Sequence, residues 1–266
     1  MTLKVRLSHN PTLRRTAVGI AMVAACASAS AALPPFTFNP GASLLTGASF
    51  TGDNLLISDY STVTNNGEGG FTDTGFLSIS AIQLEGVTFT PTGLNSTYGM
   101  YIKFDGKGTT TAGNPLLVTT VGSFTELTYT LFGYNGPASF GFSGNTPTET
   151  AENEVTLATG TLVSGNAVTI PTGDGLTFTP SATAKLNFVV TPGQEAFFAS
   201  PNPFYNLAFA AFTNTTTQVE AFDGGFRIRQ GGGALNFASV VPEPESYALM
   251  LAGLAAVGFV SRRLRT

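Results

Sequence analysis

This 266-residue chain lacks most of the side chains that enzymes use for chemistry. It has one histidine, one cysteine and no tryptophan, and only 11% of its residues are charged. The histidine is His9 and the cysteine Cys26, both within an N-terminal stretch built like an export signal. Once that stretch is removed, neither imidazole nor thiol remains. Ser–His triads, Cys–His pairs, histidine metal sites and disulfides are excluded together. Basic residues are scarce as well. Residues 32–241 hold five of them, Lys103, Lys107, Lys185, Arg227 and Arg229, against fourteen acidic ones, a formal charge of −9. Nucleic acid needs a basic stripe, so it is excluded as a partner.

Long apolar runs are also absent; two short ones mark the ends. Lys4, Arg6, Arg14 and Arg15 lead into an apolar segment from Ala17 to Ala25, followed by Ala27-Ser28-Ala29-Ser30-Ala31-Ala32. This order predicts a signal peptide over residues 1–31, helical in its apolar part, with cleavage at the A-x-A site of Ala29 and Ala31. Two alternatives stand beside it: Val23-Ala24-Ala25-Cys26 as a lipobox, and Arg14-Arg15 as a twin-arginine signal. At the other end, Val241-Pro242-Glu243-Pro244-Glu245 forms an extended break, because proline donates no backbone hydrogen bond and biases its predecessor away from helix. Ser246 can cap a helix over the uncharged run Tyr247–Val260, which Arg262, Arg263 and Arg265 close. Fourteen helical residues span about 21 Å, short of the ~30 Å hydrocarbon core. Snorkelling arginines and a thinned bilayer allow a short transmembrane helix, with the arginines cytoplasmic and the body outside. An ordinary C-terminal tail anchor is the competing reading.

Residues 32–240 are long enough for one domain with its own core. Apolar and polar residues alternate through Tyr98–Asp105, Glu126–Phe132, Lys185–Val190 and Phe226–Arg229, the period of half-buried strands. Asn66-Gly67, Asp105-Gly106, Asn135-Gly136, Gly144-Asn145, Gly165-Asn166, Pro192-Gly193 and Asp223-Gly224 read as turns. Many short strands without an amphipathic helix predict an all-β fold, an antiparallel β-sandwich with a jelly roll as one form of it. Gly231-Gly232-Gly233 reads as a flexible approach to the last strand rather than a phosphate loop.

The chemistry that remains belongs to carboxylates and neutral oxygens. Asp53 with Asp59, or the group Glu149, Glu152 and Glu154, offers paired acids for glycoside hydrolysis, although a loop rich in Glu also suits solvent. No cofactor is expected. Calcium is the one metal whose oxygen ligands are at hand, at Asp53-Asn54, Asn65-Asn66-Gly67-Glu68 and Asp223-Gly224, but turn formation explains these residues equally and no EF-hand spacing is present. Tyr60, Tyr98, Tyr101, Tyr134 and Tyr205 are available to stack on sugar, while an aromatic in a strand more often belongs to the core.

The tail as a whole, with Val241, Pro242, Glu243 and Pro244, then the apolar run, then Arg262, Arg263 and Arg265, resembles the PEP-CTERM sorting signal. That resemblance implies processing by exosortase, a membrane-embedded transpeptidase-like protease, after transient anchoring in the inner membrane. Phe36-Thr37-Phe38-Asn39-Pro40-Gly41 and Leu94-Asn95-Ser96-Thr97-Tyr98-Gly99-Met100-Tyr101 are similar to the flocculation-associated members of that group. By resemblance the chain is a non-catalytic surface or matrix protein that holds cells together with exopolysaccharide. A carboxylate-dependent polysaccharide hydrolase and a self-associating structural protein are the alternatives.

Overall fold

The computed structural model describes residues 32–239, so the predicted signal helix and C-terminal membrane helix lie outside the described residues. In chain order the strands are β1 (Phe36–Phe38), β2 (Phe50–Gly52), β3 (Asn54–Asn65), β4 (Gly70–Leu84), β5 (Val87–Phe89), β6 (Tyr98–Thr110), β7 (Thr120–Asn135) and β8 (Phe140–Ser143). They continue with β9 (Thr146–Glu149), β10 (Val155–Pro171), β11 (Phe178–Asn187), β12 (Val189–Val190), β13 (Phe198–Ser200), β14 (Leu207–Thr213), β15 (Val219–Phe222) and β16 (Gly225–Ala238). Among the described residues the only helical elements are two single turns, and no helix is long and apolar enough to cross a membrane.

All-β and antiparallel are both correct; two facing sheets are not what forms. Strands β3, β4, β6, β7, β10, β11, β14 and β16 each pair with the next along the chain, and β16 pairs back onto β3. The sheet therefore closes on itself as an eight-stranded up-and-down barrel. A jelly roll needs connections that cross between sheets, and none of these eight strands makes one. Their length drives closure: most run for ten or more residues, and shifts of register at Leu56/Ile57, Lys107/Gly108, Thr156/Ala158, Leu162/Ser164 and Arg229/Gly231 add local twist.

Alternation fills the interior. From β3, Leu55 and Ile57 point inward; from β4, Leu77 and Ile79; from β6, Met100, Ile102 and Phe104; from β7, Leu127, Tyr129 and Leu131, all buried. Two of the expected turns lie inside strands instead. Gly106 is in β6 and Gly165 in β10, because both clear room for the Phe124 ring: a Cβ on either would come within 3.1–3.3 Å of it. Gly231-Gly232-Gly233 is likewise part of β16, where a Cβ on Gly233 would meet the Phe212 ring at 2.5 Å. Asn66-Gly67, Asn135-Gly136, Gly144-Asn145, Pro192-Gly193 and Asp223-Gly224 do fall outside or between strands, each glycine at positive φ.

One end of the barrel is sealed. The three-stranded sheet β2–β1–β13 lies there, and Phe38 packs its ring against those of Phe36, Phe50, Phe197, Phe198, Phe204 and Phe237 at centroid separations of 4.7–6.0 Å. On the outer wall the β8–β9 hairpin covers an aromatic patch. Phe140 meets Tyr60, Phe76 and Tyr101, and Phe132 stacks on Tyr101 at 5.2 Å. Arg227 fastens the hairpin tip by donating to the Gly144 carbonyl.

Candidate functional site

The barrel encloses a cavity of about 330 Å³. Ile102, Phe104, Leu127, Leu186 and Leu235 supply its apolar wall, and the loops 66–69 and 111–119 border its mouth, at the end away from the aromatic floor. Small residues on the inward faces of β10, β11 and β14, among them Ala167, Ala182, Ala184 and Ala210, leave this space unfilled. An eight-stranded barrel is just wide enough for such a cavity.

Two carboxyls point into it. Along β3 the inward positions run Leu55, Ile57, Asp59, Ser61, Val63; along β4 they run Phe71, Asp73, Gly75, Leu77, Ile79. Register places Asp59 opposite Leu77, Ser61 opposite Gly75 and Val63 opposite Asp73, so Ser61 stands between the two acids. A side chain at residue 75 has no room, since a Cβ there would lie 2.4 Å from the Tyr60 carbonyl and 2.6 Å from the Ser61 Cα. Burial raises the pKa of Asp59, and burial first, then the charge of Asp59, raises that of Asp73. The Ser61 hydroxyl is near enough to both to pull them down slightly. At hydrogen-bonding geometry, however, Asp59 Oδ1, Asp73 Oδ1 and Ser61 Oγ all remain without a partner. So does Asn214 Oδ1, whose own Nδ2 donates to the Pro180 carbonyl at 3.3 Å. Buried polar atoms are rarely left unpaired, and here four share one lumen or its wall.

The acids singled out from sequence are placed differently. Asp53 sits at the sealed end, where its Oδ2 accepts the Glu85 N–H at 2.7 Å, while Asp59 faces the lumen six residues along the chain; the two do not form a pair. Glu154 accepts the Tyr101 hydroxyl, Glu149 accepts the Ala151 N–H, and both thereby seat the segment around the hairpin instead of lying free in solvent. Among the calcium candidates, Asn66 Oδ1 accepts from Glu68 and Gly70, and Asp223-Gly224 turns β15 into β16. Among the described residues no cluster of three or more His, Cys, Asp or Glu converges. Tyr98, Tyr101 and Tyr134 are buried to within 2% of full coverage and belong to the packing.

Ala29, Ala31, Val241, Pro242, Glu243, Pro244, Arg262, Arg263 and Arg265 lie outside the described residues. For the tail there is direct support from comparison: a family model described as the PEP-CTERM protein-sorting motif matches residues 240–265. No curated protein and no solved structure matches the chain.

Proposed function

We propose that this chain, which ends in a PEP-CTERM protein-sorting motif, is an exosortase-processed surface protein that works outside the cell by holding exopolysaccharide and so promoting cell aggregation. The motif over residues 240–265 carries the reading, because it is an address for export and surface delivery. The barrel supports a non-catalytic role for what is delivered. Its acids do not line an open cleft, and a cavity with a sealed floor gives a polymer chain no path through. Polysaccharide must therefore meet the outer wall. There the outward positions of β7 and β10 carry Thr128, Thr130, Thr159 and Thr161, neutral hydrogen-bond partners for sugar hydroxyls. Many weak contacts along one polymer add through avidity.

Closure of the sheet weighs against self-association as the main mode, since a barrel removes the long unpaired edges on which strands of separate chains join. Calcium bridging between the acidic protein and an anionic polymer remains part of the proposal. The test is co-sedimentation of the exported protein with the producer's exopolysaccharide, with and without calcium, alongside flocculation of a deletion strain. Binding together with loss of flocs is the expected result. Release of new reducing ends from the polymer would establish the hydrolase instead.

A further inference from the structure

We propose that the barrel lumen binds one small apolar amine, its ammonium group held by Asp59 and Asp73 and its apolar part lying among Ile102, Phe104, Leu127 and Leu186. This goes beyond the matrix role and does not depend on it. The cavity, at about 330 Å³, falls in the range of small-molecule sites, roughly 300–1,000 Å³, and has their make-up: an apolar wall with a few polar groups placed together.

Those polar groups specify the ligand. Asp59 Oδ1, Asp73 Oδ1 and Asn214 Oδ1 are acceptors without donors, so whatever occupies the space must donate. None of the described lysines or arginines lines the cavity; Lys103, Lys107, Lys185, Arg227 and Arg229 all stand on outward positions. The only other titratable side chain on the wall is Tyr129, and its hydroxyl is already committed to the Asn187 carbonyl at 2.8 Å. Two acids thus face the lumen with no base to answer them. A fatty acid would add a third carboxyl to the pair. An alcohol brings a single donor and no charge. An ammonium brings three donors and the charge that lets both carboxylates ionise in a dry site. Since burial holds protons on the empty pair, binding of the cation near neutrality releases protons to buffer. Exposed Leu117, Ile170 and Leu176 belong to or border the loops at the open end, giving an amphiphile an apolar approach to the mouth.

The test is titration calorimetry of the exported protein near neutral pH with n-octylamine, 1-octanol and octanoate, repeated in two buffers of different ionisation enthalpy. Octylamine is expected to bind once per chain, at least about tenfold tighter than octanol, with proton release, and octanoate weakest of the three. Asp59→Asn with Asp73→Asn should erase the preference for amine while keeping octanol binding. Ala182→Phe, which fills the lumen, should abolish amine binding and so exclude attachment to the acidic outer surface. The comparison among the three probes on the wild-type protein stands even where a variant fails to fold. Equal affinity for amine and alcohol, tighter binding of octanoate, heat from none of the three, or amine binding that survives a folded Ala182→Phe overturns the proposal.

Discussion

The unliganded barrel carries a pH dependence that follows from one side chain, and Asp59→Asn isolates it. Asp59 is 5% exposed and its pKa is raised from 3.8 to about 7, chiefly by burial. In the unfolded chain the same group ionises near its ordinary value. Below about pH 4 both states hold the proton and the group is neutral to stability. As pH rises, the unfolded state sheds its proton first, so stability declines until the folded pKa is passed. About 3 pH units at about 1.4 kcal/mol each gives a loss of roughly 4 kcal/mol by pH 8. That is a large part of the 5–15 kcal/mol typical of a domain. Asparagine keeps the shape and cannot ionise. Urea unfolding of the wild-type and Asp59→Asn proteins between about pH 5 and pH 8 measures the difference directly. The wild type should lose midpoint steadily, by about 1 M or more, while the variant changes far less and is the more stable of the two at pH 8. Parallel curves for the two proteins, or a variant less stable at pH 8, would refute the burial of this carboxyl in an apolar lumen.

Three further outcomes are expected. Phe38→Ala removes the ring that touches six others at the sealed end and should cost about 3–5 kcal/mol in chemical denaturation. Tyr101→Phe deletes the donor to Glu154; global stability should fall by only about 1 kcal/mol, but amide exchange should quicken selectively in residues 136–154, the segment this bond helps to seat. Replacing Pro242 and Pro244 together should leave an unprocessed, membrane-held form visible on immunoblots, and normal release of that variant would count against recognition of the motif by exosortase.

Much of this molecule is written plainly in its residues. The tail joins a proline break, an apolar run and an arginine cluster in fixed order, and that order is what the family model matches. Period-two alternation in Tyr98–Asp105 and Glu126–Phe132 identifies real strands, β6 and β7. Alternation cannot distinguish a sandwich from a barrel, because both bury one face of every strand. The distinction rests on β16 meeting β3 and β10 meeting β11, contacts between residues far apart in the chain. Glycine misled in two places: Gly106 and Gly165 look like turn residues, yet each is small because Phe124 lies against it. The acid pair was within reach of the same alternation rule. Leu55, Ile57, Asp59, Ser61 and Val63 share one parity, as do Phe71, Asp73, Gly75, Leu77 and Ile79, so both aspartates stand on apolar faces. What the sequence leaves out is that β3 and β4 pair in the register that brings those faces together around Ser61.

The claim on which the rest depends is delivery of this barrel to the outside of the cell by way of its tail. Intact-mass analysis of the protein recovered from the cell exterior tests it most directly. The account predicts a species that begins near residue 32 and has lost the apolar run and its arginines; a full-length chain confined to the cytosol would contradict it.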